Sequence, residues 1–265
     1  MAYPERIVCL TEETTETLYL LEEDWRIVGV SGFTVRPPQA RKEKPKVSAF
    51  TSAKIGKILE LQPDLVLGFS DIQADIAAEL VRHGIEVHVF NHRSIEEIFR
   101  MIRMLGGMIG CEGKALALAE KLEAGLKEIH EAANRLPRRP RVYFEEWDEP
   151  MISGIRWVSE LVEIAGGDDI VPEFARESLA KNRIHADGSE VIARQPDIIF
   201  GSWCGKKFQP ERVAAREGFA DVPAVRDGEL HEIKSSIILQ PGPAALTEGV
   251  RAIHAHITRW ALQNA

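Results

Sequence analysis

A seven-residue segment occurs twice in this chain, and its repetition constrains the fold more than any other feature. Gln62-Pro63-Asp64-Leu65-Val66-Leu67-Gly68 returns as Gln195-Pro196-Asp197-Ile198-Ile199-Phe200-Gly201. An amphipathic run precedes each proline, Ile55 to Leu61 in the first copy and Val191 to Arg194 in the second. The pattern reads as helix, Pro-Asp turn, buried strand and a loop at the strand's carboxyl end. Two copies predict two similar α/β lobes. In open parallel sheets ligands bind outside the carboxyl ends of the strands. That directs attention to Ser70-Asp71 and to Ser202-Trp203-Cys204.

The rest of the first half repeats the alternation. Strands are expected at Ile7-Leu10, Ile27-Val30, Leu65-Gly68 and Val87-Phe90, and helices at Thr14-Leu21, Ile55-Leu61 and Ile72-His83. Such alternation implies a parallel sheet covered by helices. The segment from Phe33 to Pro45, rich in proline and basic residues, reads as a surface excursion. A helix begins near Ser94 with acidic residues in its first turn. A second, from about Lys114 to Leu136, would be roughly 33 Å long, enough to reach from one lobe to the other. The second half restarts with the strand Arg141-Phe144, followed by a charged aromatic loop from Glu145 to Pro150. Helices are expected at Trp157-Val162 and from about Pro243 to Leu262. The fold class is therefore α/β, as two three-layer αβα lobes with mostly parallel sheets. Residues 1–113 form the first lobe, 114–136 the backbone helix and 137–265 the second lobe.

Composition excludes several function classes. A formal net charge of -8 argues against a nucleic-acid groove. Cys9, Cys111 and Cys204 fit neither a zinc pattern nor a disulfide framework. Dinucleotide, P-loop, zincin and nucleophile-elbow motifs are all missing. His254 and His256 point to different faces of a helix and make a poor metal pair. No basic and apolar leader precedes Ile7, which reads as a cytoplasmic protein, or a periplasmic one if the sequence has been trimmed.

What the loops do carry is aromatic and polar. Phe33, Phe50, Trp147, Trp157 and Trp203 fall in or beside predicted loops, with Thr34 and Thr51 next to two of the rings. Rigid rings suit a bulky planar or amphipathic ligand. Each ring also has a plain packing role open to it. Trp157, at a helix start, leans toward packing, whereas polar neighbours lean Trp147 and Trp203 toward exposed binding loops. Glu12, Glu13 and Thr14 follow the first strand, where they can cap a helix, face a ligand, or do both. Arg36 and Arg183 could pair with ligand carboxylates or remain solvated, and Glu146 and His185 stand as polar candidates beside them. Cys204, near Lys206 and Lys207, could be a thiol of lowered pKa that reacts or binds metal.

The order of these segments resembles the substrate-binding proteins of ABC importers for vitamin B12 and iron-siderophores, above all the cobalamin-binding branch. The resemblance is carried by Pro4-Leu10 with Thr15-Glu16, Arg26-Val30, Pro45-Val47, Ile58-Val66, Gly84-Val87, Ser94-Glu96 and Gln195-Ile199. It implies two α/β lobes on one rigid helix, with ligand in the cleft between them. It also implies a non-catalytic binding protein with no required cofactor, whose ligand is a cobalamin-type corrinoid held by Phe33, Phe50, Trp147 and Trp203. Importer-docking members carry a glutamate on each lobe, seven residues before the proline of the Pro-Asp turn; here Gly56 and Ser189 stand there, with Glu190 adjacent. That weakens the expectation of an ABC permease as partner. The alternatives are a cytoplasmic relative that binds a siderophore, haem or another metal chelate, and an enzyme or metal handler using the Cys204 loop.

Overall fold

The computed structural model describes residues 3–265 and divides them into two compact units. The first comprises residues up to 92 with 96–122; the second comprises 93–95 with 123–265. The division falls inside one long helix. Among the described residues no helix is long and apolar enough to cross a membrane.

The first unit alternates strand and helix: β1 (Ile7–Cys9), α1 (Glu12–Leu20), β2 (Ile27–Ser31), α2 (Pro38–Glu43), β3 (Lys46–Ser48), α3 (Ile55–Glu60), β4 (Leu65–Phe69), α4 (Ala74–Arg82) and β5 (Val87–Phe90). The helices α5 (Ile95–Ile109) and α6 (Glu112–Ala133) follow. The sheet order is β3-β2-β1-β4-β5, parallel throughout. Side chains alternate along a strand. Val8 and Val66 pack with Ile58 of α3 and with Ile76 and Leu80 of α4. Ile7, Cys9 and Leu67 face the other way and are equally buried, so both sheet faces are covered. The segment from Phe33 to Pro45 is not only an excursion: it contains α2, and β3 follows it directly. Three prolines and a run of charge concealed that short helix, whose single buried side chain is Ala40.

The second unit contains β6 (Arg141–Asp148), β7 (Met151–Ser153), α7 (Arg156–Ala165), β8 (Asp168–Asp169), α8 (Pro172–Ala175), β9 (Ile184–His185) and α9 (Ser189–Arg194). It continues with β10 (Ile198–Gly201), α10 (Pro210–Ala214), α11 (Pro223–Arg226), β11 (Leu230–Glu232), α12 (Ser235–Ile238) and α13 (Val250–Gln263). Its sheet runs β11-β10-β6-β7-β9, with β8 also paired to β6. The pairs β6–β10, β10–β11 and β6–β8 are parallel; β6–β7 and β7–β9 are antiparallel. The charged aromatic loop expected at Glu145–Pro150 is thus largely strand. β6 continues to Asp148 and turns back into β7, pairing Trp147 with Ile152 and Glu145 with Ser153.

The two Pro-Asp segments adopt the same local structure. Gln62 and Gln195 both take positive φ, 46° and 48°, ending α3 and α9. The residue before a proline is disfavoured in the right-handed helical region, so the helix stops there. Asp64 then accepts hydrogen bonds from the backbone N–H of Glu5 (2.7 Å) and Arg6 (2.9 Å), just ahead of β1. Asp197 accepts from the N–H of Arg141 (2.8 Å), at the start of β6, and pairs with its guanidinium. The repeated aspartate fixes the beginning of the neighbouring strand. It therefore acts at the amino ends of the sheets, opposite the loops where a ligand is expected.

Candidate functional site

At the carboxyl ends of the first unit's strands, α1 begins with three carboxylates and each holds something. Glu12 Oε2 accepts the Val35 N–H at 2.7 Å, and Glu16 Oε1 accepts from Arg36 Nε at 3.1 Å. Glu13 Oε1 accepts from the Thr11 hydroxyl. The first two contacts tie the loop after β2 onto α1. Phe33, on that loop, is 62% exposed. Thr34 beside it is buried, as is Thr14 on α1. Burial raises the pKa values of Glu12 and Glu13 to about 7, with neighbouring carboxylates adding to the shift. A helix N-terminus favours acidic side chains, but here it does not outweigh desolvation.

These raised values carry a stability consequence. A carboxyl whose folded pKa lies above its ordinary value contributes stability that is present at low pH and lost as pH rises through the folded value. For Glu13 the window runs from its ordinary 4.5 to about 7. Glu13→Gln keeps an acceptor for Thr11 and cannot ionise. It is expected to match the wild type at or below about pH 4 and exceed it by up to roughly 3 kcal/mol above about pH 8. Thermal melts across that range check it; a difference that does not grow with pH would show Glu13 to be ionised in the folded protein.

Two further residues shape this end of the first sheet. Ser70, directly after β4, has φ 61° and ψ 179°, a backbone region that is costly for any residue but glycine. Its hydroxyl accepts from the Ile72 N–H at 3.3 Å, while Asp71 is exposed. Gln73 is buried and was not a sequence candidate. Its Oε1 accepts the Phe69 N–H (3.0 Å), and its Nε2 donates to the carbonyls of Leu10 (3.3 Å) and Phe50 (3.0 Å). One amide braces the loops after β1, β3 and β4. Phe50 is half-buried and Thr51 exposed.

The second unit's carboxyl end is a charge network. Glu145 is fully buried and binds Arg216 through both oxygens, at 2.6 and 2.9 Å, with Trp203 Nε1 donating at 3.0 Å. Asp148 pairs with Lys206 and with Arg212 (3.0 Å). Buried Arg183 donates to Glu146 at 2.6 Å and to the Ser153 carbonyl. Lys206 lies 4.1 Å above the half-buried Trp147 ring. Opposite charges satisfy one another here, which is why three acidic residues can sit on one strand.

Several expectations need correction. Trp203 does not stand in an exposed loop: it is buried against Phe208, with ring centroids 5.0 Å apart, inside the second unit's core. Trp157, which leans toward packing in the sequence, is buried, its indole donating to the Ile238 carbonyl at 2.9 Å. Arg183 is neither solvated nor free for a ligand carboxylate. Desolvation and the Glu146 charge push the Cys204 thiol up, not down, and Lys206 is engaged by Asp148. Among the described residues no group of three or more His, Cys, Asp or Glu side chains could hold a metal ion. His256 stacks on His231 at 4.2 Å, and burial lowers its pKa to about 4. His254 meets the Ala165 carbonyl at 2.8 Å. His185 is buried, and burial lowers its pKa too.

Residues 7–237 match the family described as periplasmic binding protein. The chain belongs to this family. A vitamin B12-binding protein of Vibrio parahaemolyticus is 24% identical over 245 residues, spanning 91% of this chain and 86% of its own. An ABC transporter substrate-binding lipoprotein of Bacillus subtilis is 26% identical over 263 residues, spanning 94% and 79%. The solved structure of a periplasmic heme-binding protein from a Roseiflexus species shares the fold, with a TM-score of 0.80 at 23% identity over 96% of this chain and 99% of that one. The family consists of substrate-binding proteins that bind small molecules and work with ABC transporter permeases.

Proposed function

We propose that this protein is a non-catalytic small-molecule binder whose ligand is a cobalamin-type corrinoid, held by loops at the carboxyl ends of its strands. The observation that carries this is Phe33: a large ring left exposed on a loop that Glu12 and Glu16 clamp to α1. An exposed ring on a tethered loop offers contact area with only two side-chain torsions to order. Relatives named for vitamin B12 support the ligand class. The uncommitted carboxyl oxygens of Glu12 and Glu13 suit the amide fringe of a corrinoid better than a carboxylate-rich siderophore.

Isothermal titration with cyanocobalamin, cobinamide, haem and a ferric siderophore tests the proposal. One-to-one binding of a corrinoid is expected. Phe33→Ala should then weaken it by about 1–3 kcal/mol, as for a central aromatic anchor. An unchanged Kd would remove Phe33 from the site. Haem binding alone would favour the second reading, which the heme-binding structural relative motivates. The raised Cys204 pKa argues against an enzyme or metal handler built on that loop. Any permease contact is proposed to bypass Gly56 and Ser189; the Ser189 hydroxyl is bonded to Asp187 at 2.7 Å and Glu190 is paired with Arg194.

A further inference from the structure

Four buried polar atoms at one end of the first sheet have no hydrogen-bond partner among the described residues: Glu12 Oε1, Glu13 Oε2, Thr34 Oγ1 and Ser48 Oγ. They belong to the start of α1 after β1, the loop after β2, and the last residue of β3. Those three strands are neighbours in the sheet order. The loops are tied together, since the Gly32 N–H donates to the Ser48 carbonyl at 2.7 Å and the Val35 N–H to Glu12. Leaving a buried polar atom unpaired is costly, and native proteins rarely gather several in one place. Here all four can accept a hydrogen bond, and two are carboxyl oxygens. Three nearby donors have partners: the Val35 N–H donates to Glu12, the Thr11 hydroxyl to Glu13 and the Arg36 Nε–H to Glu16.

We propose that Glu12 and Glu13, with the Thr34 and Ser48 hydroxyls, form a specificity element that accepts N–H donors from the ligand and rejects carboxylates at the same position. This rests on the reading that the carboxyl-end loops hold the ligand, and it adds which chemical groups they select. A primary amide brings two N–H donors to a site rich in acceptors. Above about pH 8, where Glu12 and Glu13 are both ionised, a carboxylate brings only acceptors and a like charge into a low-dielectric surrounding, which is repulsive. Thr34 and Ser48 can serve either partner, so the discrimination falls on the two glutamates.

The test compares corrinoids whose peripheral groups differ in this chemistry. Cobinamide carries amides around the corrin ring, whereas cobyrinic acid carries carboxylates. At about pH 8.5, above the raised values of both glutamates, the wild-type protein is expected to bind cobinamide at least about tenfold more tightly. Equal affinity, or a preference for the acid, overturns the inference. Glu12→Gln/Glu13→Gln keeps the shapes and an acceptor on each side chain while removing the charge. It is expected to narrow the ratio by about tenfold, chiefly through better binding of the acid, with a thermal melt to show that the variant is folded. An unchanged ratio in a folded variant also overturns it. Binding of neither corrinoid would refute the corrinoid reading instead. The specificity claim is then decided on haem and its bis-propionamide: tighter binding of the diamide supports it, and tighter binding of haem overturns it. Silence with all four compounds overturns both.

Discussion

Arg216→Ala is expected to destabilise the protein by about 3–5 kcal/mol, because it strands a charge in the second unit's interior. Glu145 is 0% exposed, and Arg216 supplies both of its charged hydrogen bonds. Burial already raises the Glu145 pKa; Arg216 is the strongest opposing influence and Trp203 adds to it. Without Arg216 the carboxylate keeps the Trp203 indole as its side-chain donor among the described residues, and its pKa rises further. The sign of the pH dependence follows. A raised folded pKa means stability that is present at low pH and lost as pH rises, so the variant's deficit grows with pH and shrinks where the carboxyl takes up a proton. Denaturant melts at about pH 5 and about pH 8 check this. A deficit of the same size at both would mean that Arg216 contributes by packing alone. Double replacement of Arg216 and Glu145 by apolar residues is expected to recover much of the loss, as for other buried pairs.

Trp203→Ala is expected to cost about 3–5 kcal/mol of stability while leaving ligand affinity per folded molecule within about twofold. The ring is 2% exposed and packs on Phe208, which itself lies so close to Gly201 that a Cβ there would stand 1.9 Å from the Phe208 ring. Trp203→Phe keeps most of the packing and removes the N–H that Glu145 accepts, with an expected cost of about 1–3 kcal/mol. Because Trp203 and Arg216 serve the same carboxylate, their substitutions should not add. Denaturation reads the stability, and titration at a temperature where the variant is fully folded reads the affinity. A tenfold loss of affinity there would return Trp203 to the binding site.

The contrast between Trp203 and Phe33 shows where the sequence stops informing. Both rings follow a predicted strand and both have polar neighbours. Phe33 is 62% exposed because its loop is clamped from behind by Glu12 and Glu16. Trp203 is buried because Glu145, fifty-eight positions earlier, offers its indole an acceptor inside the core. Nothing local to either ring records that difference. Gln73 escaped notice for the same reason: its three partners lie in separate stretches of chain. The Glu145–Pro150 segment reads as loop in the sequence because charge density ordinarily means solvent. The charges there are neutralised by Arg183, Lys206, Arg212 and Arg216, all distant in sequence.

The sequence by itself determined the elements whose signal is local. The Pro-Asp repeat, with its helix stop and apolar run, specified β4 and β10 and, through Asp64 and Asp197, the starts of β1 and β6. The alternation of short apolar runs with amphipathic stretches specified a parallel α/β sheet, because hydrophobic period is written residue by residue. Only the tertiary structure decided which polar and aromatic side chains are buried, which carboxylates are paired, and which acceptors remain uncommitted at the ends of β1, β2 and β3. Those properties depend on groups brought together from far apart in the chain, and desolvation and charge pairing act through space rather than along the sequence.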